Sequence, residues 1–120
     1  MIAKIKIDLY ECEVIMQIVP TTKDVCTAIN SLAKKRKQSL PNEIGDVAAG
    51  QVIGFVDKYY IILSKKHVKT LNTALHELWH CIEAICEDRE IRDEEAKAYL
   101  QGFVGEKLIQ DLIKYQNEQM

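Results

Sequence analysis

The sequence predicts an α+β fold in a single domain over residues 1–120: a small sheet of two β-hairpins with one helix between them, followed by two packed C-terminal helices. Three observations predict it. Residues 4–10 alternate apolar and polar side chains at a strand period. Residues 51–64 are rich in Val, Ile, Tyr and Phe. From residue 69 onward the apolar residues recur at three- and four-residue helical steps. A length of 120 residues gives room for one hydrophobic core, and 48% hydrophobic with 28% charged content excludes a disordered or fibrous chain.

Taken in order, Ile5, Ile7 and Leu9 alternate with Lys4, Lys6, Asp8 and Tyr10, as in a half-buried strand. Residues 12–19 form its hairpin partner, with Glu11 where a tight turn or bulge fits. Pro20-Thr21-Thr22 ends the extended region. A Thr cap with Asp24 in the first turn then opens a helix over about 22–35, with Val25, Ile29 and Leu32 on one face. Its basic end, Lys34-Lys35-Arg36-Lys37, suits a helix C-terminus and is too short for a nucleic-acid patch. Residues 38–50, with Pro41, Asn42, Gly45 and Gly50, read as a loop and as the most mobile stretch. The second hairpin pairs 51–56 with 59–64 around Asp57-Lys58. Leu71, Leu75, Leu78, Ile82 and Ile85 define a helix of roughly 69–87. A last helix starts near Asp93 as cap, with Leu100, Phe103, Val104, Leu108 and Leu112 on its apolar side.

Sixteen Lys and Arg against eighteen Asp and Glu leave a net charge of -2, which disfavours nucleic acid as a partner. No apolar run approaches the ~18 residues of a membrane span, so no membrane partner is expected. The alternating N-terminus lacks the unbroken apolar stretch of a secretory signal, which predicts a cytoplasmic protein. Under reducing conditions Cys12, Cys26, Cys81 and Cys86 are expected as buried thiols, and without a C-x-x-C pair they do not suggest a four-cysteine zinc site.

Chemistry concentrates in His76-Glu77-Leu78-Trp79-His80, an H-E-x-x-H sequence inside a predicted helix. Residues four apart on a helix stand one above the other, so the two imidazoles can share one zinc ion with Glu77 beside them as general base. Leu78 and Trp79 are expected to anchor this helix in the core, and His67 reads as an exposed loop residue rather than a ligand. A catalytic zinc needs a third protein ligand. Glu83 sits too far along the same straight helix, so the next helix is the expected source, folded back antiparallel with its first turns near the motif. There Glu95, Tyr99 and Gly102 share a stripe, and Glu95 is the chosen ligand with Glu94 as the alternative.

His76 to His80, followed by Asp93-Glu94-Glu95-Ala96-Lys97-Ala98-Tyr99-Leu100-Gln101-Gly102, resembles the short H-E-x-x-H proteins of bacteriophages and other bacterial mobile elements, which are labelled zinc metallopeptidases. In those a Glu precedes an Ala-Tyr pair by three residues, which maps onto Glu95, Ala98 and Tyr99. The pattern is also similar to that of the gluzincin peptidases, so the resemblance implies a minimal zincin-like domain, one zinc ion, and a protein or peptide substrate in a bacterial host cell.

With zinc on His76, His80 and Glu95, Glu77 would take a proton from water and return it to the leaving amine, and Tyr99 would donate to the developing oxyanion. The edge of 59–64, just before the motif helix, is the expected place for a substrate strand to pair. The competing expectation is a non-catalytic, zinc-stabilised regulatory or interaction domain in which the metal holds two helices together.

Overall fold

The computed structural model describes residues 3–36 and 49–119. Its elements follow the order β1 (Ala3–Ile7), β2 (Cys12–Val19), α1 (Thr22–Lys35), β3 (Gly50–Gly54), β4 (Lys58–Ser64), α2 (Asn72–Asp88) and α3 (Glu94–Glu118). The α+β layout predicted from the sequence is present, as a mixed four-stranded sheet and three helices. Most of the loop expected over 38–50 lies outside the described residues. Among the described residues no helix is long and apolar enough to cross a membrane.

The two hairpins join through their middle strands. β1 pairs antiparallel with β2, β3 pairs antiparallel with β4, and β2 pairs parallel with β4 from Glu13↔Lys58 to Val19↔Ser64, giving the order β1-β2-β4-β3. Parallel neighbours need a crossover, and α1 supplies it. This order corrects the expectation that 59–64 offers a free edge. β4 is bonded on both sides, and its unbroken run Tyr59-Tyr60-Ile61-Ile62-Leu63 suits a strand covered on both faces. Among the described residues the sheet's edges are β1 and β3.

Each face of the sheet has its own core. On one side Val25, Ile29 and Ala33 of α1 pack with Ile53 and Ile62. A capping box starts α1: the Thr21 side chain accepts from the Asp24 N–H, and the Asp24 carboxylate accepts from the Thr21 N–H, both at 3.2 Å. On the other side the alternate residues Ile5, Ile7, Val14, Met16, Tyr59, Ile61 and Leu63 pack against Leu78, Ile82 and Ile85 of α2 and Leu100, Val104 and Leu108 of α3. All four cysteines are buried.

Several local expectations change. Leu9 does not continue β1: Asp8–Tyr10 is a 3-10 turn that leaves Leu9 exposed, and Glu11 takes a left-handed conformation (φ 51°) to enter β2. Leu75, Trp79 and Phe103 are exposed, because the sheet and the neighbouring helix cover a narrower stripe than the apolar periodicity suggests. Trp79 therefore does not anchor α2, whereas Leu78 does. His67 is half-buried in a 3-10 turn, Lys65–Val68, with Nδ1 at 2.6 Å from Ser64 Oγ.

Arg89, at the end of α2, ties the two hairpins together. Its guanidinium donates to the Tyr10 carbonyl, the Val56 carbonyl and the Tyr59 hydroxyl, and that hydroxyl donates to Asp88. Val56 (φ 73°) and Glu90 (φ 55°) are also left-handed, so Arg89 lies among backbone that is held out of its ordinary range. Arg89→Ala is expected to cost about 2 kcal/mol in urea unfolding. Arg89→Lys should recover little of it, since an ammonium cannot reach the three acceptors as a planar fork does.

Candidate metal and hydrolytic site

His76, Glu77 and His80 lie in the middle of α2, on the side that passes over β3. The helix buries Ala74, Leu78, Cys81, Ile82 and Ile85, which turns Glu77 down against the sheet and leaves both histidines at its rim. One open cleft is lined by Gln51, Val52 and Gly54 of β3 with His76, Glu77, His80 and Ala84 of α2. Its walls are small, so the imidazoles are reachable from solvent.

The two Nε2 atoms stand 3.1 Å apart, with the rings edge to face. That separation is a hydrogen-bond distance, in which one ring nitrogen donates and the other accepts. Glu77 Oε1 is 3.9 Å from His76 Nε2, and the residue is only 8% exposed. Burial pushes its carboxyl above the ordinary range, while the two imidazoles pull it partly back.

The structure does not bring Glu95 to these groups. Among the described residues no set of three His, Cys, Asp or Glu side chains is placed to hold a metal. The reason is the face and register of α3. Lys97 pairs with Glu83 at 3.6 Å, and Gly105 packs on Leu78, so the residues level with the motif are near 105, and 94–97 lie beyond it. Leu78 is two residues from each histidine, about 160° around the helix, which puts α3 on the far side of α2 from the imidazoles. The Glu95, Tyr99, Gly102 stripe faces solvent: Glu94 and Glu95 are exposed, Tyr99 is 79% exposed, and a Cβ on Gly102 would meet nothing. The glycine at the helix contact is Gly105. Tyr99 does not line the cleft.

What the sequence reading missed is β3. Its register places Gly50 opposite Leu63 and Gly54 opposite Tyr59. The Phe55 N–H donates to the Lys58 carbonyl and the Ser64 N–H to the Ala49 carbonyl, so the odd-numbered residues face β4 and the backbone groups of Gly50, Val52 and Gly54 point outward. Among the described residues no strand pairs with that edge. The signal was available in Gly50-Gln51-Val52-Ile53-Gly54, which is less apolar than 59–63 and therefore the better edge candidate.

No protein-family model, curated protein or solved structure matches this chain.

Burial of Glu77 has a measurable consequence. A carboxyl whose folded pKa is raised favours the folded state when neutral, and that advantage is lost as pH rises through the folded pKa. In metal-free protein Glu77→Gln should therefore raise Tm above wild type near pH 7, and the difference should vanish below about pH 4, where the glutamate is neutral in both states. A pH series of thermal melts reads it.

Proposed function

We propose that the chain is a zinc-dependent hydrolase of peptide or amide bonds, with His76 and His80 as two of the metal's ligands and Glu77 as the proton-transferring group, the described residues placing no third protein ligand beside them. The observation that carries this reading is the convergence of two imidazole nitrogens to 3.1 Å in an open cleft beside a nearly buried carboxylate. Zinc, when bound, supplies Lewis acidity and makes water a better nucleophile at neutral pH. The rest of the chemistry belongs to the chain. A carboxyl with a raised pKa is a stronger base than an exposed one, so Glu77 is suited to take a proton from water and to return it to a departing amine.

The outer edge of β3 supports a peptide as the substrate class. It offers outward backbone groups at Gly50, Val52 and Gly54 and carries no charged side chain, whereas β1, the other edge, carries Lys4 and Lys6. Charged edge strands discourage pairing and neutral ones permit it. An extended peptide laid along β3 would run past both histidines. The competing expectation, a metal holding two helices together, draws no support from this placement, because both imidazoles are on one helix and α3 lies behind it.

Metal determination on protein purified without chelator, combined with cleavage of a fluorogenic peptide mixture, tests the proposal. Wild type should carry zinc, and His76→Ala and His80→Ala should lose it. Glu77→Gln should keep the metal and lose about 10²–10⁴-fold in rate. A Glu77→Gln protein as active as wild type would overturn the assignment. Val52→Pro removes an outward N–H without breaking the ladder to β4. It should raise KM with zinc content unchanged, and an unaltered KM would remove β3 from the substrate path.

A further inference from the structure

We propose that Gly50 is a positioning residue for Glu77: its missing side chain leaves a notch in β3 that seats the glutamate's methylene stem and fixes the carboxylate beside His76 and His80. The consequence for catalysis rests on the hydrolase reading; the notch itself does not.

Gly50 has no positive φ, so its backbone conformation is open to any residue. The requirement is steric. A Cβ at position 50 would stand 2.9 Å from Glu77 Cγ, 2.9 Å from Leu63 Cδ2 and 3.1 Å from Thr73 Cγ2. Thr73 and Glu77 are one turn apart on α2, so the added atom would press on two successive turns of the motif helix. Leu63 is fully buried, so its Cδ2 can yield only against neighbouring core side chains. The soft response is for Glu77 to lift its stem from the strand toward the cleft. The three atoms nearest an added Cβ belong to Glu77, Leu63 and Thr73 and not to His76 or His80, so the imidazole pair is expected to keep its place. Gly50 thus separates two properties of the site: it governs where the carboxylate lies and leaves the imidazoles alone.

The experiment is Gly50→Ala in the full chain, with three readouts. Zinc content of chelator-free protein should be unchanged. On the fluorogenic peptide mixture kcat should fall by about 10- to 100-fold, as expected for a displaced proton-transfer group. The third readout is a double-mutant cycle by thermal melting. Glu77→Ala removes Cγ, so the loss of Tm caused by Gly50→Ala should be smaller in that background than in wild type. Equal losses in the two backgrounds would overturn the notch. If Gly50→Ala alone does not fold, the same cycle is run with Leu63→Val, which removes the Cδ2 contact and leaves α2 as the crowded partner. A wild type that binds zinc but cleaves none of the peptides would overturn the hydrolase reading, and the melting cycle would still decide the notch.

Discussion

The parallel pairing of β2 with β4 is the contact on which the rest of the structure depends. It places two strands at the centre of the sheet with both edges bonded, and it forces the intervening chain to cross over one face, where α1 packs on Ile53 and Ile62. The other face is then left for α2 and α3, whose apolar stripes meet Val14, Met16, Tyr59, Ile61 and Leu63. Pushing β3 to the rim is a further consequence. Were β3 and β4 exchanged, the H-E-x-x-H helix would cross a strand with no open edge beside the imidazoles.

The site follows from how α2 lies on that rim. A helix that buries Leu78, Ile82 and Ile85 must turn residue 77 downward at the side of its apolar stripe, and residues 76 and 80 outward. Small side chains in β3 let the helix come close. Tyr59 lies across Gly54 and continues to Arg89 and Asp88, so the glycine that admits its ring also lets the sheet reach the end of α2. The same close packing removes Glu77 from water and raises its carboxyl pKa, which links the fold directly to the chemistry available there.

Much of this was legible in the residues. Periodicity located α1 over 22–35, as observed, and placed both ends of α2 and the start of α3 within a few positions. The Thr21 and Asp24 capping box and the Asp93 cap carried local signals that do not depend on the fold. The stripe through Glu95, Tyr99 and Gly102 was a different matter. Leu100, Val104 and Leu108 already marked the buried side of that helix, and a stripe centred on Tyr99 falls on the opposite side. Reading both stripes as inward allowed a ligand assignment that the helix's own periodicity argues against. Phe103 and Trp79 misled in the same way, because an apolar residue at the margin of a stripe is buried only if a neighbour reaches that far.

By itself the sequence determined the secondary elements, their order, and the fact that two imidazoles and a carboxylate share one stretch of helix, since each of these is fixed by neighbours within a few residues. Tertiary structure alone decided that the two hairpins join through β2 and β4, which side of α2 faces α3, and how deeply Glu77 is buried. Those depend on groups distant in the chain, such as Glu13 against Lys58, Gly105 against Leu78 and Gly50 against Glu77. Such pairings are set by shape and burial across the whole sheet, and no local pattern of residues encodes them.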